Sequence, residues 1–134
     1  MADFGTPYTL AALNITTALT ANAQTAIDDL EGVSGVTLEA AFGWGSGGTS
    51  CVVVVQTTFD GGTTWRDIAR FDFAQTSRVA HCNLNGQLSK GVTAYTALGA
   101  EGVLDGVLGS QLRAVVTTVG TYANTTLAVR ASVR

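Results

Sequence analysis

Few residues in this chain combine a reactive type with a useful spacing. The single histidine, His81, would have to serve as the base of any Ser–His–Asp arrangement, and nothing in its surroundings marks it as more than a strand residue. His81 and Cys82 are adjacent, so on a strand their side chains point to opposite faces and do not share a site. Neither Cys51 nor Cys82 has a second Cys or His at metal-ligand spacing. Asp28, Asp29 and Glu31 form an acidic cluster without the spacing of a calcium loop, which reads as a solvated turn. The Gly43–Gly48 stretch is glycine-rich but is not followed by the lysine of a phosphate loop. The remaining candidate is Asp60, in Thr58-Phe59-Asp60-Gly61-Gly62-Thr63-Thr64-Trp65. It is either a catalytic or metal-binding carboxylate, or a turn residue accepting backbone N–H groups a few positions on; the flanking glycines favour the turn. The expectation is therefore no catalytic residue, no metal and no cofactor.

The elements around Asp60 explain that preference. An apolar run, Cys51–Val55, precedes it and an alternating run, Ile68–Phe73, follows it, which is the pattern of a β-hairpin with an Asp-Gly-Gly turn. Gly61 and Gly62 supply positive φ, and Trp65 packs over the turn. Further strands are expected at Val36–Phe42, Ser50–Thr58, Thr63–Phe73, Arg78–Leu84, Gln111–Thr118 and Thr125–Val133. Alternation places Val36, Leu38, Ala40 and Phe42 on one face, as it does Leu112, Ala114 and Val116, and Leu127, Val129, Ala131 and Val133. The unbroken valines of Ser50–Thr58 suggest a central strand covered on both faces. Before residue 30 the signals conflict: strands at Ile15–Leu19 and Thr25–Leu30 are preferred, with a helix over Leu10–Ala23 or an extended arm as alternatives. Residues 85–109, punctuated by glycines, form a loop longer than most, of the kind that carries function or is ordered by a partner. The sum is an all-β, antiparallel β-sandwich or jelly roll of seven to eight strands, a single domain over residues 1–134.

The 134 residues suit such a domain, and 46% apolar residues can build its core. Charged residues are only 13% and the net charge is −3, which gives no electrostatic basis for binding nucleic acid. The scarcity of charge has two readings: surface covered in an assembly, or polarity supplied by Thr, Ser, Asn and Gln. No apolar run approaches a membrane span, and Met1-Ala2-Asp3 does not open a signal peptide, so synthesis in the cytoplasm is expected.

The turn register serves as a ruler for the cysteines. A hairpin centred on Gly61-Gly62 sets Cys51 opposite about Asp72, and one centred on Thr76 sets Cys82 opposite about Arg70. In a simple meander the two cysteines then stand on strands separated by one strand, about 9–10 Å apart, beyond the ~7 Å of a disulfide. Reduced thiols, interchain bridges through Cys51 and Cys82, and an internal bridge across the two sheets are the three outcomes, in that order of expectation. Trp44, flanked by glycines, is either a cap over the sandwich end or an interface anchor, the anchor being slightly preferred.

The hairpin segment resembles an Asp-box, the Ser/Thr-x-Asp-x-Gly-x-Thr-Trp motif of sialidases and other β-hairpin repeats, through Thr58, Asp60, Gly62, Thr64 and Trp65. In those families the box is structural, and a single box does not make a propeller. A longer stretch, GVTLEAAFGWGSGGTSCVVVVQTTFDGGTTWRDIARFDF together with GVLGSQLRAVVTTVGTYANTTLAVRASVR, is similar to small structural proteins from the virion gene clusters of tailed bacteriophages and prophages. The resemblance covers roughly residues 33–73 and 106–134. It implies a β-sandwich component of the virion with no enzymatic role, made in the bacterial host. Capsid decoration or linking ranks first, then neck or collar, then tail, with other virion proteins and symmetric copies of itself as partners. The reading from another class is a carbohydrate- or receptor-binding module such as a tail adhesin. An enzyme whose turnover depends on His81 comes third.

Overall fold

The structure is a computed structural model, and it describes Phe4 and residues 6–134. Among the described residues eleven strands are formed: β1 (Tyr8–Ile15), β2 (Asn22–Ala23), β3 (Gly35–Gly43), β4 (Ser46–Gly47), β5 (Ser50–Thr58), β6 (Arg66–Phe73), β7 (Arg78–Asn85), β8 (Gly102–Val103), β9 (Gln111–Val119), β10 (Tyr122–Ala123) and β11 (Thr125–Val133). Seven of these are eight or nine residues long, and the other four are two-residue fragments. The long strands, with β2 and β8 at the ends of one sheet, make two antiparallel layers, β1-β11-β3-β7 and β2-β9-β5-β6-β8, while β4 and β10 pair separately. The fold is all-β and sandwich-like.

Period-two burial builds the core. Val36, Leu38, Ala40 and Phe42 of β3 and Leu127, Val129, Ala131 and Val133 of β11 face Cys51, Val53 and Val55 of β5 and Leu112, Ala114 and Val116 of β9, all almost fully buried. Each Val, Leu or Phe among them contributes roughly 1.5–3 kcal/mol when removed from water, which is why these four strands hold the two layers together. Phe42 from one layer stacks on Phe73 from the other, with ring centroids 5.0 Å apart.

Several expectations are corrected. β5 is central, but Val52 and Val54 on its outer face are only half-buried, so the strand is not covered on both faces. Before residue 30 neither Ile15–Leu19 nor Thr25–Leu30 is a strand, and no helix forms. Instead β1 runs from Tyr8 to Ile15 along β11, since that placement buries Leu10, Ala11 and Ile15. Ile27 contributes a lone bridge to Leu112. Residues 1–3 and Gly5, within the stretch for which an arm was the alternative, lie outside the described residues. The second long strand of the hairpin starts at Arg66 rather than Thr63, because Thr63–Trp65 belong to the turn. The 85–109 connection contains β8, a short edge pair on β6.

The ruler was right near the turn and shifted beyond it. Gln56 pairs with Asp67 and Thr57 with Arg66, as a centre at Gly61-Gly62 requires. A bulge between Val55 and Gln56 then moves the register by one, so Cys51 stands opposite Phe73 rather than Asp72. Cys82 stands opposite Leu38, not Arg70, because β7 leaves the β6 layer and pairs with β3.

Candidate binding surface

The glycine turn is built around two side chains. Thr58 ends β5 fully buried, with its hydroxyl 2.9 Å from Asp60 Oδ1 and 2.7 Å from the Thr64 carbonyl. The same oxygen accepts the Gly62 N–H at 3.0 Å. Asp60 Oδ1 accepts the Thr64 N–H at 2.9 Å, and Oδ2 accepts the Thr64 hydroxyl at 2.6 Å. Gly61 and Gly62 have φ of +74° and +103°, the left-handed region in which a Cβ is strained. The Trp65 indole N–H closes the turn on the Gly62 carbonyl at 3.0 Å. Those bonds, the Thr64 hydroxyl first, then the Thr64 N–H and the Thr58 hydroxyl, hold the Asp60 carboxyl down to about 2.

Two expected results follow. Thr58→Val keeps the shape but strands the Gly62 N–H and the Thr64 carbonyl, and should lower unfolding free energy by about 1–3 kcal/mol in a denaturant titration. Asp60 has a lower pKa folded than unfolded, so the stability it supplies is present above about pH 4 and is lost as pH falls toward about 2. Asp60→Asn should therefore flatten the fall in melting temperature across that window.

The turn does not stand alone. Arg113 on β9 lies 4.3 Å above the Trp65 ring, and its Nε donates to Gln56 Oε1 at 2.9 Å. Gln56 Nε2 donates to Asp67 Oδ1 at 2.9 Å. Asp67 Oδ2 in turn accepts the Leu98 N–H at 3.1 Å, and the Asp67 N–H donates to the Tyr95 hydroxyl at 3.0 Å. Arg70 donates to the Leu98 carbonyl at 2.9 Å, and Glu101 accepts the Asp72 N–H at 2.9 Å while pairing with Arg78. The long 86–110 connection is thus strapped along β6 by polar bonds from the Leu98 backbone, Tyr95 and Glu101 to Asp67, Arg70 and Asp72. Its far end is pinned where Gly109 donates to Thr57 Oγ1 at 2.8 Å.

This strapping presents apolar side chains outward. Val92 is fully exposed, Leu88 is 51% exposed and Tyr95 45%; beside them Phe59, in the β5–β6 turn, is 65% exposed. Phe59, Arg66, Tyr95, Leu104 and Val107 line a mainly apolar groove of about 240 Å³, with the Arg66 guanidinium 5.1 Å from the Tyr95 ring centre. Sequence reasoning marked residues 85–109 as a loop that carries function or is ordered by a partner, but did not single out Phe59 and Tyr95. Phe59 is masked by its place inside the turn motif, and Tyr95 is drawn to Asp67 by a contact that spans 28 residues.

No protein-family model, no curated protein and no solved structure matches this chain.

The other singled-out residues fall elsewhere. Trp44 is not an exposed anchor: its ring is half-buried against the core, and its indole N–H donates to the Gly47 carbonyl at 2.9 Å. It caps the end of the sandwich because the β4 turn folds back over it. Cys51 lies wholly within the core, where burial raises its thiol to about 12. An interchain bridge through Cys51 is therefore overturned, since no other chain can reach its sulfur in the folded state. Cys82 is half-buried on β7, and burial raises its thiol to about 11. Both cysteines are free, and no disulfide joins them. His81 and Cys82 do point to opposite faces: His81 contacts Glu39 at 2.9 Å on the outer face of the layer. Asp28, Asp29 and Glu31 are not gathered into a metal-ligand group among the described residues.

Proposed function

We propose that this chain is a structural protein of a tailed-bacteriophage virion that acts by binding other virion proteins. Capsid decoration or linking is the first role, followed by neck or collar and then tail. The observation that supports it is the exposed apolar surface of Leu88, Val92 and Tyr95, on a loop fixed by hydrogen bonds rather than free in solvent, together with Phe59 of the neighbouring β5–β6 turn. A surface of that kind, already ordered, loses little conformational entropy when a partner covers it. Scarce charge on the chain fits attachment through apolar and backbone contacts. The segments that resemble phage structural proteins supply β3, β5, β6, β9 and β11, the strands that make most of the two layers. Under this reading the protein carries out no catalytic step and needs no cofactor.

The test is cryo-electron microscopy of the assembled particle, supported by binding of the purified chain to isolated capsids and tails. Density for the chain with its 86–110 loop seated on a neighbouring subunit is the expected result. Its absence from purified particles sinks the proposal. A carbohydrate- or receptor-binding role would instead show as retention on a glycan array; Trp44 and Trp65 both spend their indole N–H groups inside the fold, which leaves neither as a sugar platform with a free donor.

A further inference from the structure

The end strands of the layers are unequal. β1 carries a bulge between Thr9 and Ala11 and starts just after Pro7, while β2 and β8 are two residues each. Bulges, prolines and short lengths are the usual means of blunting a sheet edge. β7 has none of them: it pairs with β3 through eight consecutive residue pairs with no shift in register.

The hydrogen-bonding phase of β7 follows from its end. Gly35 donates to and accepts from Arg134 at 2.8 and 2.9 Å, so its backbone groups point to β11 and away from its β7 partner, Asn85. The Asn85 N–H correspondingly points outward and is taken by Asp105 Oδ1 at 2.7 Å. Alternation along an antiparallel ladder then turns the N–H and C=O of Val79, His81 and Asn83 outward as well. Those groups have no hydrogen-bond partner among the described residues. Val79 is 58% exposed, and a groove of about 240 Å³ runs beside the strand between Ala80–Cys82 and Gly102–Val103, with the paired Arg78 and Glu101 also lining it.

The three free positions are symmetric about His81. A second β7 lying antiparallel, with His81 opposite its own copy, pairs Val79 with Asn83 and Asn83 with Val79. All the free donors and acceptors are then used, in about six backbone hydrogen bonds. A register centred on Cys82 would instead need the backbone groups of Asn85, whose N–H is held by Asp105 and whose carbonyl accepts the Leu88 N–H. We propose that β7 is a self-pairing edge, through which two copies of this chain join their β1-β11-β3-β7 layers into one continuous sheet about a two-fold axis centred on His81. Such an isologous contact is the commonest way for identical subunits to associate. Each His81 imidazole stays with its own Glu39 on the outer face. The proposal specifies the contact between copies and does not depend on the virion reading.

The register makes a covalent prediction. Ala80 of one copy stands opposite Cys82 of the other in a non-hydrogen-bonded pair, with Cα atoms about 4.5 Å apart, within the span of a disulfide. The two Cys82 residues are diagonal neighbours about 7–8 Å apart. Sedimentation velocity on the purified chain from about 10 µM to 1 mM should show a reversible dimer, with affinity in that range. His81→Pro removes an outward N–H together with the exposed imidazole contact to Glu39, changes an edge strand tolerates, and should leave a monomer that still unfolds cooperatively. Under mild oxidation Ala80→Cys should give a disulfide-linked dimer through Cys82, and the wild type none. A wild type that stays monomeric throughout, or a folded His81→Pro variant that dimerises as before, overturns the proposal. If His81→Pro fails to fold, the Ala80→Cys cross-link decides, and its absence is a refutation. Each of these results can occur whether or not the chain is found in virions.

Discussion

Phe42→Ala should lower the free energy of unfolding by about 3–5 kcal/mol, the largest effect expected of any truncation in this core. Phe42 is 2% exposed and is among the largest of the fully buried side chains. It stacks on Phe73 of the opposite layer at 5.0 Å and meets the Tyr122 ring edge-on at 6.5 Å. Removing it leaves a cavity between the sheets that neither rigid strand can close, and also loses the aromatic contacts. Against a total stability of roughly 5–15 kcal/mol, that is at least about a fifth of the whole. The midpoint of a urea titration should fall sharply with an unchanged slope, because the same surface is exposed on unfolding. Phe42→Leu, which retains most of the volume, should cost clearly less. Equal losses for the two variants would show that the site relaxes and that the inter-sheet stack is not a principal contact.

Gly109→Ala is expected to be the second largest effect, and its cause is contact rather than backbone conformation. A Cβ at Gly109 would stand 2.0 Å from the Thr58 carbonyl oxygen and 3.0 Å from Thr57 Oγ1, with no positive φ involved. The chain must back away from β5, which strains or breaks the Gly109-to-Thr57 hydrogen bond and loosens the end of the strapped loop. Overpacking of this kind costs typically about 1–3 kcal/mol, sometimes more. Gly91→Ala and Gly99→Ala are the controls, since a Cβ at either meets nothing within 4 Å. They should change stability by less than about 0.5 kcal/mol. Hydrogen exchange should rise selectively over 94–110 in the Gly109 variant. If all three variants behave alike, the loop is not held by its junction with β5.

The Asp60 turn was legible because all its partners lie within seven residues. Thr58, Asp60, Thr64 and Trp65 make a local arrangement that needs no help from distant chain, so residue types and spacing specify it. The same holds for the buried faces of β3, β9 and β11, where alternation alone selects the inward side chains. Locality failed first at the Val55/Gln56 bulge, which shifts every pair beyond it by one residue. It failed again before residue 30, where the burial of Leu10, Ala11 and Ile15 depends on β11, more than a hundred residues away.

By itself, then, the sequence determined an all-β chain, its long inner strands and a carboxylate held in a structural turn, since each rests on periodicity or on contacts a few residues long. Tertiary structure alone decided which strand lies beside which. Nothing in Arg78–Asn85 announces that it leaves its hairpin neighbour for β3; the choice follows from burying Leu84 and half-burying Cys82 against the second layer. That choice separates the two cysteines into different sheets and leaves β7 as an edge strand of its layer. Likewise Tyr95 and Leu98 become part of an ordered surface only through Asp67 on β6, because a loop of polar and small residues carries no periodic signal and takes its shape from the groups it can reach.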